Sequence, residues 1–468
     1  MVFSSLIFIF VFLPLTLTIY YISPMKIRNF TLLVVSLIFY GWGEPVYIGL
    51  MIFSIIFDYI STLLIHKYRK QKKLSKVIFI NTLVVNLGIL AFFKYFGFLV
   101  DNMNILFGLN ISIEKLPLPV GISFYTFQII SYVVDVYLNK VKVQKNIIDF
   151  GAYVTMFPQL VAGPIVQYND IFIQLKNRKE NIEQFSEGVD RFIIGLGKKV
   201  LIANNIAIVW TSVKATELSN ISVISAWIGI IAFTLQIYFD FSGYSDMAIG
   251  LGKMLGFEFI ENFNYPYISK SVTEFWRRWH ISLGSWFREY LYIPLGGNRV
   301  SSRKQFRNLF VVWFATGLWH GASWNFIFWG LYFGFFIFIE KTLLGKFLER
   351  LPKCISNLYT MIIVLVGWVI FDNNKLIDAI NYIKIMFGLS GNAFTDSAAV
   401  YYFYTNTILF VIAIFCATPV VYNFHKKLKN RFNARGAIVM ALSHIFILFL
   451  STAYLVNQSF NPFLYFRF

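Results

Sequence analysis

Runs of mostly apolar residues long enough to cross a bilayer recur along this chain, and nothing else constrains its fold as strongly. A helix needs about 20 such residues to span the hydrocarbon core. Candidate spans lie near 3–22, 30–42, 45–65, 77–99, 118–138, 191–211, 223–240, 355–371, 401–421 and 437–457. Composition points the same way: 57% of the 468 residues are hydrophobic, 19% aromatic and only 14% charged. A water-facing body needs about 25% charged residues. Soluble enzymes, disordered scaffolds and secreted disulfide frameworks are therefore excluded. The first run opens Met1-Val2-Phe3-Ser4-Ser5, without a basic segment or a small-residue cleavage site. It reads as a retained helix rather than a signal peptide.

The formal charge of +18 is distributed in clusters. Basic groups sit at Lys26/Arg28, 67–76, Lys140/Lys142/Lys145, Lys176/Arg178/Lys179, Arg277/Arg278/Arg288, Arg299/Arg303/Lys304/Arg307, 341–353 and 426–435. The loops at 101–115, 212–222 and 372–400 are nearly neutral. Positive loops mark cytoplasmic ends, and the two sets alternate with one parity. The expected topology puts both termini outside and the 66–76 loop inside. Much of the charge is thus topological, with some attraction to anionic lipid. Nucleic acid is not an expected partner, because the basic segments do not form one stripe.

Two stretches fit no simple span. Residues 147–167 are apolar but interrupted by Gly151, Pro158, Gly163 and Pro164. Irregular backbone at membrane depth survives only where protein or a cavity covers it, so this segment reads as re-entrant. Residues 308–340 read as two apolar arms hinged around His320-Gly321. No internal repeat of the transporter kind is visible, and no GxxxxGK[ST] loop argues for ATP-driven transport. Cys354 and Cys416 lack CxxC or metal-ligand spacing, so neither redox chemistry nor a metal is expected.

Candidate chemistry concentrates between 231 and 330. Asp240 and Asp246 stand among apolar residues, where an ionisable group is costly and suggests function; the alternative is a helix end bonded to Ser242, Ser245 or Tyr244. In 271–299, Trp276, Trp279, Leu283, Trp286 and Tyr290 follow helical spacing. With Arg277, Arg278 and Arg288 they predict an amphipathic helix at the membrane interface. His280 sits beside that stripe. His66 and His425 lie in basic loops, and His444 stands alone in the last span. His320 lies between two apolar arms, where a charged imidazolium is disfavoured and a neutral one can serve as general base. No GxSxG elbow or HExxH is present. Direct acyl transfer between two bound substrates needs a base and positioning but no enzyme nucleophile. That reaction fits this inventory, and a transporter or flippase is the competing reading.

These residues lie in longer stretches that resemble a known family. VGISFYTFQIISYVVDVY (120–137), FPQLVAGPI (157–165), FDFSGYSDMAIG (239–250), FWRRWHISLGSWFREYLYIPLGGNR (275–299), TGLWHGASWNFIFWG (316–330) and NPFLYFRF (461–468) are similar to the membrane-bound O-acyltransferases. The branch is that of bacterial alginate and peptidoglycan O-acetyltransferases, and the resemblance covers nearly the whole chain.

The resemblance implies an all-α polytopic fold, a ring of about ten or more transmembrane helices with re-entrant or half helices around a central tunnel. One integral-membrane domain would occupy 1–468, with its catalytic core at about 116–340. The two family histidines fall on His280 and His320, with His320 the essential one. Asp240, Asp246, Trp276, Arg277, Arg278, Trp279, Arg288 and Asn325 are candidate substrate contacts. The expected donor is acetyl-CoA or another cytoplasmic acyl thioester, with no permanently bound cofactor. The implied acceptor is an exported polysaccharide, reached with an exported, membrane-anchored acetyltransferase partner, in the cytoplasmic membrane of a bacterium. A sister branch moves D-alanine toward lipoteichoic acid, but YIPLGGNR (292–299) looks like the acetyl-transferring branch.

Overall fold

A computed structural model describes residues 1–114, 116–160, 163–457 and 464. Their regular structure is entirely helical. In chain order the helices are α1 (Phe8–Ile22), α2 (Arg28–Gly43), α3 (Ile48–Lys67), α4 (Lys72–Phe107), α5 (Ile122–Tyr137), α6 (Ile147–Thr155), α7 (Phe157–Leu160), α8 (Tyr168–Asn177) and α9 (Ile182–Ala215). They continue with α10 (Val223–Met254), α11 (Val272–Arg278), α12 (Ile281–Phe287), α13 (Ser302–His320), α14 (Trp324–Arg350), α15 (Lys353–Asp372), α16 (Leu376–Met386), α17 (Ser397–Cys416) and α18 (Val420–Asn457).

Among the described residues eight helices are long and apolar enough to cross a membrane: α3, α4, α9, α10, α14, α15, α17 and the Ile438–Asn457 part of α18. The chain is an all-α polytopic membrane protein. Seven of the eight coincide with expected spans, and the eighth, α14, is the second apolar arm. Three expected spans differ. α1 and α2 are shorter than a span, and the 118–138 run forms α5, which is only 16 residues long. Ile122, Tyr125, Ile129, Tyr132 and Val133 of α5 are at most 1% exposed. A helix apolar on every side belongs in a packed interior as readily as in lipid, and length and hydropathy alone do not separate the two.

The described chain forms two compact units, one of residues 1–192 and 247–260, the other of 193–246 and 261–468. In the first, α3, α4 and α5 pack together, and Asn86 donates to the buried Asp58 carboxyl at 2.7 Å. The 147–167 segment breaks as its glycines and prolines predict. α6 ends at Thr155, Met156 leaves helical geometry and α7 follows. The break is buried, and two of its polar groups are paired: Ser36 Oγ accepts from Phe157 N–H at 3.1 Å, and Gln159 donates to the Tyr153 carbonyl. Val161 and Ala162 lie outside the described residues.

Some of the positive charge in this unit is not loop charge. Arg28 pairs with Glu180 at 2.9 Å, and Arg178 donates to the Tyr20 hydroxyl at 2.8 Å. Burial pulls the Glu180 carboxyl upward, but hydrogen bonds from Tyr20 and Arg28 outweigh it and hold it below the usual range. Charge-assisted bonds of this kind join α1 and α2 to the segment after α8.

In the second unit, α13 and α14 form the expected hairpin around His320-Gly321, and small residues let it close. A Cβ on Gly330 would lie 2.2 Å from the Trp313 carbonyl oxygen, and one on Gly317 would lie 2.4 Å from that of Phe326. Close backbone approach through glycine is a common helix-pairing device in membranes. The α9–α10 crossing uses the same device at Gly243, whose Cβ would sit 2.7 Å from the Gly195 carbonyl oxygen.

Candidate active site

The second unit holds His280 and His320, on backbones of different kinds. His320 is the last residue of α13 and is buried. Its ring meets three aromatic edges and faces: Trp329 at 4.8 Å, Trp319 at 5.0 Å and Phe371 at 5.4 Å between centroids, all near 80°. Gly321 follows, where a Cβ would strike the Phe326 ring at 2.3 Å. The arm's hinge therefore needs glycine for space. Rings on three sides leave water little room around this imidazole.

His280 occupies a break. The single amphipathic helix expected over 276–290 is absent: α11 ends at Arg278, and α12 begins at Ile281. Between them His280 takes left-handed geometry, φ +48° and ψ 54°, which is uncommon for a residue with a side chain. That reversal interrupts the stripe's register. The stripe faces protein rather than an interface, since Trp279 and Trp286 are buried. Leu283 and Trp286 keep the helical spacing within α12, but the spacing carries no signal for the turn that holds Trp279 and His280.

Asn262 stabilises the break. Its carbonyl oxygen accepts from Ile281 N–H at 3.0 Å. Its Oδ1 accepts from Ser282 N–H at 3.1 Å and from Ser282 Oγ at 2.9 Å, and lies 3.2 Å from His280 Nδ1. An atom receiving two donors is the amide oxygen, so His280 carries its proton on Nδ1 and its lone pair on Nε2. Burial pushes this imidazole down to about 3. It is neutral at physiological pH.

Glu340 fixes the start of α11. This buried carboxylate, from the end of α14's apolar arm, accepts from Val272 N–H at 2.6 Å, Thr273 N–H at 2.8 Å and Thr273 Oγ1 at 2.7 Å. Ser271 Oγ accepts from Glu274 N–H at 3.0 Å. The orphan donors of the helix start are thus satisfied by a distant residue and a local cap. α14 therefore positions the short helix that leads into His280.

The structure brings several expected residues together. Trp319 links the two imidazoles, 5.9 Å from His280 and 5.0 Å from His320. Trp276 packs on Trp329 at 5.4 Å and Trp313 at 5.0 Å, and Trp279 packs on Trp368 at 4.9 Å. Asn325, at the start of α14, bonds to Ser323 Oγ and to the Phe371 carbonyl, the latter at 3.3 Å.

Other candidates stand elsewhere. Arg278 pairs with Glu274 at 2.8 Å, Arg277 is exposed, and Arg288 lines a separate cavity. Asp240 and Asp246 do not use the nearby hydroxyls expected as partners. Lys199 pairs with Asp240 at 2.5 Å and Lys198 with Asp246 at 2.6 Å. Both lysines fall in a wider helical turn within α9, Lys198–Ala203. Asp240 also accepts from Leu464 N–H at 2.8 Å. The rest of the closing NPFLYFRF motif, and the side chains of His425 and most of 426–435, lie outside the described residues. Next to Asp240, the Phe241 ring stands edge-on to His280 at 4.7 Å.

Sequence reasoning missed Asn262, Glu340 and the two lysines. The rule that singled out the aspartates, an ionisable group in an apolar run, applies equally to Lys199 and Glu340. Nothing local marks Asn262.

Comparison with known proteins agrees with this architecture. The model of the membrane-bound O-acyltransferase family matches residues 138–350. A protein of Azotobacter vinelandii named probable alginate O-acetylase AlgI is 40% identical, covering all of both chains. The peptidoglycan O-acetyltransferase of Helicobacter pylori is 35% identical over 84% of this chain and 80% of its own. The teichoic acid D-alanyltransferase of Bacillus subtilis is 27% identical over 53% of this chain. The chain belongs to the membrane-bound O-acyltransferase family and is an O-acyltransferase.

Proposed function

We propose that this protein transfers an acetyl group from a cytoplasmic acyl thioester, acetyl-CoA, toward sugar hydroxyls of an exported polysaccharide. It would act in the cytoplasmic membrane of a bacterium with both termini outside, and an exported, membrane-anchored partner would complete delivery. The relatives matched along the full chain carry alginate O-acetylase names, whereas the D-alanyltransferase matches only about half of it. That difference favours acetyl over D-alanyl.

The observation that carries the reading is the pair of buried imidazoles joined through Trp319. His320 takes the proton of the attacking hydroxyl as its oxygen bonds to the thioester carbonyl carbon. The tetrahedral intermediate then collapses, the carbon–sulfur bond breaks, and the proton passes to the departing thiolate. His280, with its lone pair on Nε2, accepts a hydrogen bond. It therefore suits orientation of a substrate N–H or O–H rather than polarisation of the carbonyl. Trp276, Trp279 and Asn325 shape the enclosure. His320→Ala, made at normal levels in the membrane, should remove base-labile acetate from the polymer; acetate at the wild-type level would sink the assignment.

A further inference from the structure

Away from the histidines, the second unit contains a cavity of about 520 Å³ around the turn at Gly296–Gly297. That volume is in the range of small-molecule sites. Arg288, Arg299 and Asn298 line it, and no acidic residue does. Among the described residues neither guanidinium makes a hydrogen bond or an ion pair with the protein. Two other arginines bordering this region are engaged, Arg278 with Glu274 and Arg307 with Asn308 and the Leu295 carbonyl, whereas the exposed Arg277 and Arg303 do not line the cavity. Arg288 and Arg299 are both exposed to solvent at this cavity, so an anion entering it from water meets two guanidiniums with no carboxylate beside them.

A polar side chain and a glycine turn complete the cavity. Asn298 Oδ1 accepts from the Tyr292 hydroxyl at 2.8 Å and the Lys341 ammonium at 2.5 Å. This brings a third cation to the edge and leaves the amide NH₂ with donors to spare. Gly296 and Gly297 have φ of +104° and +53°. A Cβ on Gly296 would lie 2.5 Å from Val300 Cγ1, so the turn requires glycine there. α12 continues through Arg288–Tyr292. Arg288 therefore stands eight residues, about 12 Å of helix rise, from His280.

We infer that this cavity binds a phosphoryl group through Arg288 and Arg299, the chemistry that paired guanidinium forks recognise best. The phosphoryl group could come from either of two sources. One is the diphosphate end of the acyl-CoA donor, which an extended pantetheine arm separates from the thioester; this source rests on the function proposed above. The other is a phospholipid headgroup.

The test uses the full-length protein in nanodiscs of neutral lipid, with inorganic pyrophosphate and coenzyme A as probes. Wild-type protein should bind both, more weakly as salt rises. The R288Q/R299Q variant, shown to unfold at the wild-type temperature, should lose about tenfold or more in affinity. If the donor is the source, its KM rises by a similar factor while kcat changes less. If lipid is the source, phosphatidylglycerol retained by wild type in native mass spectra is lost from the variant, and coenzyme A binding is unaltered. Pyrophosphate binding without coenzyme A binding or turnover would reject the acyl-CoA donor yet keep the site. Unchanged binding of pyrophosphate, coenzyme A and phosphatidylglycerol in the variant would overturn the proposal. A second variant, G296V, should weaken pyrophosphate binding by deforming the turn without removing a charge.

Discussion

The two histidines of this protein are held in opposite ways. His320 ends a continuous helix and is enclosed by the rings of Trp319, Trp329 and Phe371. His280 sits on a left-handed residue between two seven-residue helices, secured by hydrogen bonds to Asn262 and, one step removed, by Glu340 at the start of α11. Ring packing encloses the imidazole and excludes water. Hydrogen bonds are specific and confer tautomer. A site that must remove a proton at one point and orient a substrate at another has use for both.

The largest effect should come from the packed histidine. His320→Ala should lower turnover by about 10²–10⁴-fold, the usual worth of a positioned general base, while His280→Ala should cost less and fall partly on KM. Radiolabelled acetyl transfer by the purified protein measures both. Equal losses at the two positions would erase the distinction.

Next is the framework beside His280. Lys199 and Asp240 form a buried pair, 2% and 3% exposed, and Phe241 follows Asp240 onto the His280 ring. Removing one member of a buried pair costs about 3–5 kcal/mol, whereas replacing both is far milder. Lys199→Met should therefore lower the thermal unfolding temperature sharply, and adding Asp240→Asn should recover much of it. If the double variant is no better than the single one, the aspartate does more than neutralise the lysine.

The same contrast explains what was legible in the sequence. Apolar length marked seven of the eight long helices, and Gly321 with the flanking arms marked the His320 hinge, because packing leaves a hydropathy trace. A buried helix leaves that trace too, so the 118–138 run reads as a span although α5 is 16 residues long and packed in the interior. The His280 break left none. Its stripe Trp276–Trp279–Leu283 keeps helical spacing through the turn, and its anchor Asn262 is 18 residues away. Polar wiring between distant residues has no period to detect. Only a rule about isolated charges, applied to Lys199 and Glu340 as it was to Asp240, would have come close.

Asn262 offers a sharper test of the wired histidine. Asn262→Ala removes an acceptor shared by three donors and should cost about tenfold in turnover. Asn262→Asp should instead place a carboxylate against Nδ1 and raise the His280 pKa. In the wild type that value is pushed down to about 3, so lowering pH from 8 to 5 leaves His280 neutral. In the variant the imidazole should gain a proton within that window, and activity should fall on the acid side. A wild-type pH profile for Asn262→Asp would mean that His280 is not used as a neutral acceptor.

The smallest effect belongs to Glu340, which acts through α11. Glu340→Gln keeps the shape but loses the charge and one acceptor oxygen, a change worth about 1 kcal/mol at a helix start. Turnover should drop severalfold with donor KM little changed. A loss of that size also follows from a slightly loosened fold, so the double-mutant cycle decides. If Glu340 positions His280, the Glu340→Gln effect on turnover should vanish in a His280→Ala background, because the residue being placed is gone. If the same severalfold loss persists there, Glu340 supports the α14 arm in general, and the wiring of His280 ends at Asn262.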